Sequence, residues 1–132
     1  MAQQQIKELS LRIRDQYRYC FIVGYSIGAT IAWLCSQRKS LYSGVVGFYG
    51  SRIRDYKEIE PKCPVLLFFP KKEEKFDVGR LMQDLSVHKN VRVFKADALH
   101  GFANPWSGEY CKEVSEELFA KTIDFIEEQR QI

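Results

Sequence analysis

Gly24-Tyr25-Ser26-Ile27-Gly28 has the pattern G-x-S-x-G. It lies between a short apolar run, Tyr19-Cys20-Phe21-Ile22-Val23, and an apolar helical pattern over residues 27–37. A sharp strand-to-helix turn lifts its central serine to the top of a sheet with the hydroxyl exposed. The backbone then passes close to itself, so Gly24 and Gly28 are expected to be required as small residues. The helix behind the turn directs free N–H groups and a positive dipole end at any developing oxyanion. The Ile27 N–H is the natural first donor to it.

A serine hydroxyl needs a base to become a nucleophile. The chain has two histidines. His88 sits in polar surroundings, Ser86-Val87-His88-Lys89-Asn90, and reads as a surface loop residue. His100, in Ala98-Leu99-His100-Gly101-Phe102, follows the last strand-like run. That is the place of the base when the chain order is serine, acid, histidine. Gly101 lets this loop turn tightly, and Phe102 can anchor it or line a pocket. A third group should orient His100 and stabilise its imidazolium form. The loop after Pro64-Val65-Leu66-Leu67-Phe68-Phe69-Pro70 offers Glu73, Glu74 and Asp77, ranked in that order by distance from the strand end. Asp77 also suits the N-cap of the next helix. Loop carboxylates are commonly just solvated, a reading that stays open for each of the three.

These residues need a scaffold, and the sequence alternates between the two kinds of element that supply one. Ile6, Leu9, Ile13 and Tyr17 share one face of a first helix. Apolar runs at residues 19–23, 44–50 and 64–70 read as buried strands, and Val91-Arg92-Val93-Phe94-Lys95 as an outer strand of mixed character. Helices are expected over 77–86 and from about 108 to 128, the latter with Val114, Leu118, Phe119, Thr122, Ile123 and Ile126 on its apolar side. Alternating strands and helices mean parallel βαβ units in an α/β fold, with a sheet flanked by helices. Such sheets place their chemistry at the C-terminal ends of the strands. Trp33, on a helix among apolar neighbours, reads as core; Trp106, in the His100 loop, is the better pocket candidate.

Composition narrows the function classes. With 132 residues the chain is expected to form a single domain, 1–132. The +3 net charge comes from scattered residues, and Lys71-Lys72 is followed at once by Glu73-Glu74, so nucleic acid is not an expected partner. G-x-G-x-x-G and G-x-x-x-x-G-K-[ST] are both absent, which argues against a nucleotide or flavin site. Cys20, Cys35, Cys63 and Cys111 fit no zinc spacing and read as reduced structural thiols. The N-terminus has no basic region followed by an apolar run, and no run is long enough to span a bilayer. A cytoplasmic protein without membrane association is expected.

Three elements together resemble the dienelactone hydrolase family of α/β-hydrolases. They are Val23-Gly24-Tyr25-Ser26-Ile27-Gly28-Ala29, then Cys63-Pro64-Val65-Leu66-Leu67-Phe68-Phe69 with its acidic loop, then His100-Gly101-Phe102-Ala103-Asn104-Pro105 before a long helix. The resemblance implies an esterase or lactonase that works through an acyl-enzyme, without metal or cofactor. It departs from the family in three ways. Ser26 stands where members with authentic dienelactone activity typically carry cysteine, which favours general carboxylic esters. Glu73 stands where the acid is usually Asp. Only about 20 residues precede the elbow, so the chain resembles a truncated α/β-hydrolase fold of four strands, without the upstream loop that supplies the second oxyanion donor. Losing such a donor costs about 10²–10³ in rate. The elbow strand would then have an open edge, and an open edge invites pairing, here as a homodimer. The alternative to an ester hydrolase is a truncated, non-catalytic member that serves as a binding or assembly module.

Overall fold

A computed structural model describes residues 2–130. In chain order the elements are α1 (Ala2–Arg14), β1 (Phe21–Tyr25), α2 (Ile27–Cys35), β2 (Gly44–Phe48), a 3-10 turn at Ser51–Asp55, β3 (Val65–Phe69), α3 (Val78–Leu85), β4 (Val91–Lys95) and α4 (Lys112–Arg130). The four strands form one parallel sheet in the order β1-β2-β3-β4. The α/β class and the parallel sheet of four strands flanked by helices therefore stand as read.

Side chains on a strand alternate between the two faces of its sheet. On β3, Val65, Leu67 and Phe69 enter one core, while Leu66 and Phe68 enter the other. The first core is covered by α1, α2 and α3 through Ile6, Ile13, Ala32, Trp33, Leu81 and Leu85. The second is covered by α4 through Leu118 and Phe125. Both β2 and β3 are buried along their whole length, as parallel strands covered on two faces must be. β4 is an edge strand with mixed burial, as its composition suggested. Trp33 is fully buried and donates its indole N–H to the Tyr56 carbonyl.

Several boundaries move. The first strand is Phe21–Tyr25 rather than 19–23, because pairing begins at Phe21 opposite Gly44. Tyr19 instead donates its hydroxyl to the Arg130 carbonyl. The helix α2 stops at Cys35. The helix α4 begins at Lys112, since the preceding residues are drawn into the His100 loop by a Cys111 N–H bond to the Phe102 carbonyl. The expected apolar face of the first helix is wrong in two places, and Tyr17 lies beyond the end of α1 at Arg14. Leu9 and Tyr17 are exposed, and Ser10 is buried between Ile6 and Ile13, where it accepts a hydrogen bond from Tyr42. The buried face of α1 thus includes Ser10, next to the expected Leu9, through a polar pair with Tyr42.

Cys20, Cys35 and Cys63 are buried and unpaired, and Cys111 is half-buried. Burial pushes the Cys63 thiol up from its ordinary 9.0 to about 12. It pushes the Tyr42 hydroxyl from 10.0 to about 12 as well. Both groups stay protonated in the fold while the unfolded chain ionises. Their stabilising contribution is complete below pH 9 and is lost as pH rises towards about 12. Thermal midpoints are expected to fall steadily across that window, and Cys63→Ala should flatten its lower half. A midpoint independent of pH there would refute this. Among the described residues, no helix is long and apolar enough to cross a membrane.

Candidate active site

The turn after β1 is built around Gly24. A Cβ on Gly24 would stand 2.3 Å from the Gly28 carbonyl oxygen and 2.8 Å from the Ala29 nitrogen. No side chain fits there. Gly28 differs from expectation, because a Cβ added to it meets nothing within 4 Å. The crowding is therefore one-sided, with the Gly28 backbone pressing on Gly24. Ser26 takes φ 56° and ψ −119°, a left-handed backbone rare for a residue with a side chain. Its N–H donates to the Phe48 carbonyl at 2.9 Å, which ties the turn to β2. Its hydroxyl makes no capping bond to α2, which leaves Oγ available. Ile27 opens α2, and first-turn N–H groups have no intrahelical acceptor. The Ile27 side chain is exposed.

The loop after β4 carries His100 to this turn. Nε2 lies 3.1 Å from Ser26 Oγ. Gly101 has φ +92°, and a Cβ on it would meet Ser107 Oγ at 2.7 Å. Phe102 is the anchor of the loop. Its side chain is fully buried, and its carbonyl accepts from the Cys111 N–H and from the Ser115 hydroxyl. Phe102 is therefore a core residue and not a pocket wall. An apolar residue two positions after the base points inward because Gly101 reverses the chain between them.

The loop after β3 supplies the third group. Glu73 Oε1 lies 3.1 Å from His100 Nδ1, on a side chain only 13% exposed. The distance is that of a hydrogen bond but the alignment is not, so Nδ1 is buried without a well-directed acceptor. Glu74 is exposed and Asp77 accepts from the Arg80 N–H as the N-cap of α3. The structure thus brings Ser26, His100 and Glu73 together and leaves the two alternative acids outside. The acid and base loops are joined by a Lys71 N–H bond to the Ala98 carbonyl at 2.9 Å.

A cleft of about 540 Å³ opens at Ser26, walled by Tyr25, Tyr49, His100, Ala103 and Pro105 among others. A second cleft of about 420 Å³, lined by Arg52, Arg54, Lys72 and Lys75 as well as Glu73, meets the other side of His100. Trp106 lies outside both walls and its side chain is exposed, while its backbone N–H donates to Asn104 Oδ1. His88 is not a free surface residue. Its ring packs edge-on to Trp33 at 6.2 Å, and Nε2 is buried without a partner. Tyr49 was missed as an individual residue. The usable signal was its position at a strand end inside Gly47-Phe48-Tyr49-Gly50.

The sequence pattern of the dienelactone hydrolase family matches residues 2–130. The protein YczH of Bacillus subtilis (strain 168), itself uncharacterized, is 48% identical over 111 residues, covering 83% of this chain and 52% of that protein. A crystal structure from Klebsiella pneumoniae subsp. pneumoniae MGH 78578, provisionally described as a dienelactone hydrolase, superposes with a TM-score of 0.64 at 18% identity. That match covers 79% of this chain and 50% of the other, and it shows a shared fold. The chain spans about half the length of both proteins.

Proposed function

Since the chain belongs to the dienelactone hydrolase family, we propose that it is a serine hydrolase cleaving a carboxylic ester or lactone through an acyl-enzyme on Ser26. The contact series Ser26 Oγ to His100 Nε2 at 3.1 Å, and His100 Nδ1 to Glu73 Oε1 at 3.1 Å, carries this reading. Ser26 Oγ attacks the carbonyl carbon while His100 Nε2 takes its proton. The carbonyl π electrons move onto oxygen, and the Ile27 N–H donates a hydrogen bond to the oxyanion so formed. Collapse of the tetrahedral intermediate breaks the bond to the leaving oxygen, which takes the proton from His100. Water then repeats the sequence on the acyl-enzyme and frees Ser26. Glu73 faces the imidazolium throughout, and its loose alignment tightens as substrate fills the cleft.

The test is labelling by a fluorophosphonate, read by intact mass. Stoichiometric addition to the wild type and none to Ser26→Ala is expected. Addition that persists in Ser26→Ala, or none to folded wild type, would overturn the reading.

A second reading follows from one observation. Among the described residues β1 pairs only with β2, and its Val23 and Tyr25 are 40% and 41% exposed. No charge or proline in Phe21–Tyr25 protects that edge. We propose that two copies associate there, β1 against β1, in a twofold dimer. This gives the chain an assembly role alongside catalysis or in place of it. Sedimentation should show a dimer that Val23→Lys dissociates, and a monomer at all concentrations would refute it.

A further inference from the structure

Tyr49 departs from the strand that leads into it. In an extended strand, consecutive side chains point to opposite faces. Phe48 and Tyr49 are consecutive, yet both pack into the core on the α4 side. The cause is a left-handed backbone at Tyr49, with φ 43°, a conformation in which a bulky residue is a clear outlier. It is held from both sides. The Tyr49 N–H donates to the Phe68 carbonyl at 2.7 Å, and the Tyr49 carbonyl accepts from the Ser51 N–H at 3.0 Å. The latter bond closes an inverse γ-turn on Gly50, at φ −79° and ψ 80°.

The result of this turn is the placement of one ring. Tyr49 is 3% exposed, and its ring centroid lies 4.7 Å from that of His100. It meets the Phe102 ring edge-on at 5.0 Å and stands 6.4 Å from Tyr25 of the elbow. The Ala103 backbone interacts with its hydroxyl, which burial otherwise pushes up in pKa. Tyr49 thus touches both ends of the segment from His100 to Ala103, and it lines the cleft with Ser26. Strained backbone held by its surroundings is concentrated at functional sites.

We infer that Tyr49 is a positioning residue for this site: its ring is turned off the alternation of β2 so as to hold the His100 imidazole between Ser26 and Glu73. The inference rests on the reading of Ser26 and His100 as nucleophile and base. It assigns the effect to the aromatic face and not to the hydroxyl.

The experiment compares fluorophosphonate labelling rates of wild type, Tyr49→Phe and Tyr49→Leu. Displacement of a catalytic group by about 1 Å costs up to about a hundredfold, so Tyr49→Leu should label about ten- to a hundredfold more slowly. Tyr49→Phe should stay within about threefold of wild type, which is the rescue that a ring effect requires. Equal rates in all three variants would overturn the inference, as would a Phe variant as slow as the Leu variant. If Tyr49→Leu does not fold, wild-type NMR decides. Nuclear Overhauser contacts between the Tyr49 and His100 ring protons are expected, and their absence would overturn the inference. That measurement needs no activity. Failure of wild-type labelling with the ring contact intact would therefore count against the serine reading alone.

Discussion

His100→Ala is expected to lower hydrolysis of an activated aryl acetate by about 10⁴-fold or more, since without its base the serine hydroxyl is a poor nucleophile. Glu73→Gln should cost about 10³ to 10⁴, because an amide cannot hold the imidazolium as a carboxylate does. The informative comparison is with the neighbouring acids. Glu74 is solvated and Asp77 is occupied as the cap of α3. Glu74→Gln and Asp77→Asn should stay within about twofold, the second also because asparagine caps nearly as well as aspartate. Steady-state rates on the four variants check this. A loss in Glu74→Gln equal to that in Glu73→Gln would reassign the acid.

The second large effect is steric. Gly24→Ala drives a methyl group into the Gly28 carbonyl, 2.3 Å away, where only backbone can yield. Overpacking of this kind costs about 1–3 kcal/mol. More important here, the shift would move Ser26 Oγ away from His100, so labelling should be lost even where the variant folds. Gly28→Ala has the opposite expectation. Its added Cβ meets open space, Gly28 lies in α2, and it has no positive φ. A gain of about 0.4–1 kcal/mol follows from the restricted unfolded chain, with labelling intact. Thermal melts and labelling of the pair check both statements. Similar losses in the two would show that the motif's glycines act alike.

The site was more legible than the helix faces around it. G-x-S-x-G, a histidine after the last strand and an acid after β3 are local patterns, and chain order alone put them at one end of a parallel sheet. The position of Glu73 came from counting residues past Phe69, and three candidates stood within five positions. Separating them needed the path of the loop and the Arg80 N–H that holds Asp77. Of the two readings of Phe102 the anchor holds and the pocket wall does not, because proximity to His100 in sequence says nothing of direction once a glycine reverses the chain. Ser10 escaped because a buried hydroxyl paired with Tyr42 carries no hydropathy signal. Tyr49 escaped because a positive φ is not written in the residue's type. His88 looked solvated from its neighbours, while its actual companion, Trp33, is 55 positions away.

The bond from the Lys71 N–H to the Ala98 carbonyl joins the strand-end segments that lead to Glu73 and to His100. Neither loop can open far without breaking it. Amide exchange at Lys71 is therefore a probe of opening at the junction between the segments that carry Glu73 and His100. Slow exchange at Lys71 is expected while both segments are docked, and faster exchange when either one loosens. A destabilising change under either segment is therefore expected to show at this one amide, whichever of the two loops it lies beneath.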